Sequence, residues 1–254
     1  LALPRVVLDK RLNNLNFKNT FYSGQTVNKR VSVMPNSSFA AARKTMVDCQ
    51  LRPSKVTDQH VLDAFMTIPR KEFVGKQQRA LAYVDEDLPL PGGRCLMEPM
   101  VLARLLQALQ LRPDDNLLIV GAGCGYGAAI AASLVGSVIA IETRANLVEK
   151  AQDVLVSIGV DNAAIVKARL VDGYPDEGPY DRILIEGGVE TVPDSLLEQL
   201  TPKGRLAAIY RKPGHPVGVA SLWMRSGKEF ARTPLFDARV PNLDEFNAKA
   251  EFSF

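Results

Sequence analysis

The sequence predicts an α/β domain: a central, mostly parallel sheet of seven strands, preceded by helices and closed by an antiparallel hairpin. Three observations predict it. From Leu117 onward, short apolar runs alternate with amphipathic segments, which requires a parallel sheet covered on both faces. The run Leu117–Val120 is continuously apolar, as expected of a strand buried on both sides. Later, Val219–Met224 and Glu229–Pro234 flank Ser226-Gly227, a hairpin signal.

Each element follows in order. Residues 1–38 are rich in Asn, Ser and Lys with poor periodicity, and are expected to be a mobile extension ahead of a domain at 39–254. Their basic, acid-poor character is faintly like an organelle transit peptide. Phe39–Val47 predicts a short helix, ended by a turn at Arg52-Pro53. Thr57 is the expected cap of a helix to Ile68, with Val61, Leu62, Phe65 and Met66 on one face. Lys76–Ala82 suggests another helical turn, and Asp85–Gly93 an acidic loop rich in Pro and Gly. Pro99 suits a first helical turn, followed by Val101, Leu102, Leu105, Leu106 and Leu109 at helical spacing. Beyond the first strand come a helix at Ala128–Leu134, a strand at Ser137–Ile141 and a helix at Asn146–Ile158. Strands at Ala164–Ala168, Arg182–Ile185 and Leu206–Tyr210, and a short helix at Pro193–Leu200, complete the alternation.

Composition narrows the function classes. The 254 residues are 46% hydrophobic and 23% charged, enough for a core without metal or disulfide staples. The net charge of +3 is uneven: residues 1–33 hold six basic groups against Asp9, leaving a slight acidic excess elsewhere. The domain therefore carries no nucleic-acid footprint. No apolar run reaches the roughly 18–20 residues needed to span a bilayer. Cys49, Cys95 and Cys124 form no CxxC pair and read as reduced cytoplasmic thiols. With His60 and His215 far apart, a zinc site is not expected.

The stretch Leu118 to Gly127, LIVGAGCGYG, is the informative one. A strand ends, glycines allow a tight bend, and a helix begins. The missing Cβ atoms let a ligand lie against the backbone. Glu142 ends the next strand about 20 residues on, where an acid can accept hydrogen bonds from ribose hydroxyls. This arrangement serves any adenosine-bearing cofactor. A dinucleotide fingerprint starting at Gly121 fails at Tyr126. The shifted frame from Gly123 to Ala128 begins too far past the strand, and no Gly-Lys-Ser/Thr phosphate loop follows.

GAGCGYGAA at 121–129, Glu142, VDGYPDEGPYDRILIEGG at 171–188, LLEQLTPKGRLAAIY at 196–210, IPRKEFV at 68–74 and Leu88-Pro89-Leu90 together resemble the protein-L-isoaspartate O-methyltransferases of bacteria. The resemblance runs from about Phe39 to Tyr210. It implies a Rossmann-like class I methyltransferase fold and S-adenosylmethionine as cofactor, held by Gly121, Gly123, Gly125, Glu142 and Asp172, with Asp172 near the adenine. The implied partner is an isoaspartyl-containing protein or peptide, methylated on its carboxyl as a repair step.

Three positions depart from the family pattern. Met97, within Cys95-Leu96-Met97-Glu98-Pro99, stands where the family carries a serine facing the substrate carboxylate, so no catalytic residue is assigned. Ile119 stands where the family has an acid engaging the cofactor's methionine end. Glu186 stands where the family favours Thr, and an inward carboxylate there could replace the charge missing at Ile119. Met97 is expected to pack in the core, and Glu98 to favour a helix N-terminus. Two other readings remain beside the first: a catalytically silent binding or scaffold protein, and a methyltransferase with another substrate. Tyr126 could shelter the cofactor or pack at the helix start. His60 reads as structural, His215 and Arg211-Lys212 as surface loop, and Cys124 as a small residue in the turn.

Overall fold

The computed structural model describes residues 36–227 and 229–248. Expectations for residues 1–35 lie outside them. Helix α1 (Asn36–Met46) runs into a wider turn at Val47–Leu51, and α2 (Gln59–Thr67) turns Val61, Leu62, Ala64 and Phe65 into the core. The cap of α2 is Asp58 rather than Thr57: its carboxylate accepts from the backbone N–H groups of His60 and Val61. An acidic side chain at this position also suits the positive end of the helix. His60 is exposed and belongs to no packed face.

The expected loop at Asp85–Gly93 holds one strand of a small antiparallel pair, β1 (Leu88–Pro89), and its partner β2 (Cys95–Leu96) follows just after it. The helix α3 (Pro99–Leu109) follows, burying Val101, Leu102, Leu105, Leu106 and Leu109. Next come β3 (Asn116–Val120), α4 (Tyr126–Ala132), β4 (Ser137–Glu142), α5 (Ala145–Ser157), β5 (Ala163–Lys167), β6 (Tyr180–Val189), α6 (Asp194–Leu197), β7 (Leu200–Tyr210), β8 (Gly218–Ser226) and β9 (Glu229–Ala238).

Seven of these strands form one sheet in the order β5-β4-β3-β6-β7-β8-β9. Pairs among β5, β4, β3, β6 and β7 are parallel; β7–β8 and β8–β9 are antiparallel. This is the predicted architecture, with β6 and β7 longer than their apolar runs. Their extra residues include Gly187, Gly188, Pro202 and Gly204, which interrupt the hydrophobic signal while the chain stays extended. β3 is fully buried from Leu117 to Val120. Ile119 joins the cluster on the side of α3 and α4, Leu118 and Val120 the cluster on the opposite face.

Candidate active site

The carboxyl edge of the parallel strands gathers the predicted site. Gly121 (φ +84°), Gly123 (φ +54°) and Gly125 (φ +83°) all adopt the left-handed conformation that disfavours side chains. The backbone N–H groups of Gly121 and Ala122 both donate to the Ile141 carbonyl at 3.0 Å, tying the bend to β4. Glu142, at the end of β4, turns its carboxylate back over the bend, where the Gly123 N–H donates to Oε2 at 3.1 Å. The N–H of Thr143 donates to its Oε1 at 2.8 Å. Asp172 lies on the same edge after β5, exposed and ion-paired to Arg169 at 3.1 Å.

An additional residue was not legible in the sequence. Arg94, just before β2, is 5% exposed and lies along Glu142. Its Nε donates to Glu142 Oε2 at 3.0 Å and its Nη2 to Glu142 Oε1 at 3.1 Å. The same Nη2 donates to Glu245 Oε1 at 2.8 Å. Burial works against the Arg94 cation, but the two carboxylates hold it charged, above its ordinary range. Burial likewise opposes the Glu245 carboxylate, and the hydrogen bond from Arg94 helps keep it below its ordinary value.

Glu245 belongs to a strap, residues 239–248, that leaves β9 and crosses the carboxyl edge. Val240, Leu243 and Phe246 are almost wholly buried. The strap is held by hydrogen bonds from Gly188 N–H to the Pro241 carbonyl and from Leu243 N–H to the Gly188 carbonyl, both 2.8 Å. The side chain of Leu243 rests on the bend: its Cδ1 would be 3.0 Å from a Cβ at Gly121, and its Cγ 2.5 Å from one at Gly187. Arg211 donates to the Val240 carbonyl, so this cation anchors the strap and is not a free loop charge.

Other predicted residues sort clearly. Met97 is buried in the core, and its carbonyl accepts from Arg70 Nη2 at 2.7 Å. Tyr126 is packed, not facing the cleft: it meets Phe65 and Phe73 edge-on, with Arg70 4.9 Å above its ring. Glu98 is the N-cap residue of α3 but makes no side-chain cap, and burial beside Asp85 and Asp87 pushes its carboxyl up to about 7. Burial pushes the Cys124 thiol up to about 12, leaving it neutral. His215 is an exposed loop residue. Glu186 does face inward. Its Oε1 is enclosed without a hydrogen-bond partner, against the bare Cα of Gly127.

A side-chain groove of about 320 Å³, lined by Arg112, Asp114, Asp115, Asp181, Arg182 and Arg205, lies at the amino ends of β3 and β6. It is at the edge opposite the bend and has no part in this site.

Residues 41–213 match the family described as protein-L-isoaspartate(D-aspartate) O-methyltransferase. The chain belongs to that family. A relative from Koribacter versatilis, named protein-L-isoaspartate O-methyltransferase, is 38% identical over 82% of this chain and 92% of its own length. Another of the same name, from Methylorubrum extorquens, is 39% identical over 75% of this chain and 82% of its own. A solved structure titled protein-L-isoaspartate O-methyltransferase superposes with a TM-score of 0.72 at 25% identity. It covers 79% of this chain, which spans 65% of that longer one. A Plasmodium falciparum structure in complex with S-adenosyl-L-homocysteine shares the fold, with a TM-score of 0.68 at 18% identity over 82% of this chain and 98% of its own. The fold is therefore that of the class I methyltransferases.

The residues fit a nucleoside cofactor: a bend bare of Cβ atoms and an acid at the end of the adjoining strand. In the described conformation Leu243 and Arg94 occupy the space over those groups.

Proposed function

We propose that the chain transfers the methyl group of S-adenosylmethionine to the free carboxylate of isoaspartyl residues in proteins or peptides. Family membership, with 38% identity over 92% of a relative of that name, carries the reading. When bound, S-adenosylmethionine supplies a sulfonium methyl that a carboxylate oxygen takes in one displacement, leaving S-adenosylhomocysteine and a methyl ester with no proton moved. The attacking carboxylate is already ionised at neutral pH, with a reference pKa near 4. The reaction needs alignment and exclusion of water more than acid–base groups.

In this reading Gly121, Gly123 and Gly125 let the cofactor approach the backbone, Glu142 receives the ribose hydroxyls, and Asp172 lies beside the adenine. What supports it is the left-handed bend and the position of Glu142 over it. Met97, closed into the core, makes no contact with a substrate carboxylate. Residues 39–254 form the catalytic domain in this reading and residues 1–38 an extension. A cytoplasmic location accords with three free thiols, Cys49, Cys95 and Cys124. Among the described residues no helix is long and apolar enough to cross a membrane.

Tritiated methyl transfer to an isoaspartyl peptide, with the aspartyl isomer as control, tests the proposal. Base-labile counts with the isoaspartyl peptide alone are expected. Equal counts on both peptides, or none on either, would overturn it.

A further inference from the structure

The groups that suit a cofactor are complete, yet this chain fills the space between them with its own residues. Four features converge there. Leu243 lies on Gly121 and Gly187: a Cβ at Gly187 would collide with it, and one at Gly121 would press on it. Arg94 saturates the outer side of Glu142 with three hydrogen bonds, taking the position a ribose diol would need. Glu245 holds Arg94 in that position from the other side, and Thr143 Oγ1 also donates to Glu245 Oε1 at 3.2 Å. Finally, the strap joins the sheet edge through one isolated bridge, Gly188 with Asn242, and a few further hydrogen bonds rather than a ladder.

We propose that the strap at residues 239–248 is an internal competitor for the cofactor cleft, with Leu243 as its wedge and the Glu245–Arg94–Glu142 chain as its latch. The proposal rests on the cofactor reading above. Entry of a nucleoside requires two linked movements. Leu243 must lift from the bend, and Arg94 must release Glu142. Because Glu245 grips Arg94, withdrawal of the strap removes one of its two carboxylate partners and frees the guanidinium to turn outward.

The strap's attachments also explain why it can move without unfolding the sheet. Its backbone partners, Gly188 and Glu190, lie at and just beyond the end of β6, after the register shift that separates Leu184 from Gly188. No strand-to-strand ladder bond is broken when it leaves. Its withdrawal opens the carboxyl ends of β4, β3 and β6 together, the crevice where ligands of open α/β sheets bind.

The cost appears as affinity. The apparent Kd is raised over that of the open form by the reciprocal of the fraction of molecules in which the cleft is open.

Calorimetry with S-adenosylmethionine on the full chain, on Leu243→Ala and on Glu245→Gln tests this. Both variants are expected to bind at least tenfold more tightly. Glu245→Gln keeps the shape of the strap and guards against a Leu243→Ala protein that folds poorly; melting curves check both. In the wild type, saturation with S-adenosylmethionine is expected to speed hydrogen exchange at the Leu243 amide, which the closed strap protects. Unchanged affinity in both variants with unchanged exchange would overturn the strap while leaving the cofactor reading intact. Absence of binding by all three proteins would make the strap a fixed part of the core and sink the cofactor reading with it.

Discussion

At Glu186 the sequence departs from its family and the structure gives the departure a physical consequence. Its Oε1 is enclosed without a partner, though other parts of the residue reach the surface. Burial pushes the carboxyl up to about 8, with the Arg70 cation opposing and Glu142 adding to the rise. Below the ordinary value of 4.5 both folded and unfolded chains hold the proton. As pH rises past 4.5 the unfolded chain releases it, and the folded protein keeps it until about 8. Stability from this group is therefore full in acid and lost across that window. Glu186→Gln should remove the loss, so the variant's melting temperature should gain on the wild type between pH 5 and pH 8. Parallel curves would show that the carboxyl is solvated. Its neighbour provides a second test. A Cβ at Gly127 would overlap Glu186 Oε1, the far end of a flexible side chain. Gly127→Ala should therefore lose most of the ~1 kcal/mol by which alanine favours a helix, as that carboxyl is pushed aside. Adding Glu186→Ala should restore the loss, and denaturant melts of the four proteins in that cycle measure the coupling.

Elements were legible where their chemistry repeats. The buried strands announced themselves as apolar runs, and the helices as stripes at i, i+3 and i+4 spacing. Ends were less legible, because capping is decided by one side chain. Thr57 was the expected cap, and the structure uses its neighbour Asp58. Asp58→Ala should cost about 0.5–2 kcal/mol by chemical denaturation, and Thr57→Ala much less. The strap left only a thin trace, Val240, Leu243 and Phe246 spaced by three in a polar stretch, too short for a periodic signal. Arg94 left none. A buried arginine looks like any other in a sequence, and its burial depends on Glu142, 48 residues away, and Glu245, 151 residues away. The bend was readable because glycines, strand end and acid are local to one βαβ unit. The atoms that now lie on it come from distant segments.

Considered as a whole, the molecule closes through Arg94. The turn before β2, the end of β4 and the strap all meet at its guanidinium. Removing one partner of a buried pair leaves an uncompensated charge, which costs about 3–5 kcal/mol. Glu142→Ala should approach that cost, moderated by the remaining Glu245, and its melting temperature should fall more than that of Glu245→Gln. Similar falls in the two variants would place the centre of the network at the strap. In the proposed reading Glu142 thus serves folding in the closed form and the cofactor in the open one.

The strap also follows every strand it covers in chain order. Chains emerge from the ribosome N-terminal end first, at about 5–20 residues per second. The glycine bend, the acid at its flank and the strands beneath them are thus all synthesised before the segment that caps them. In the proposed reading, a nucleoside that meets those strands before the strap has joined them has nothing to displace.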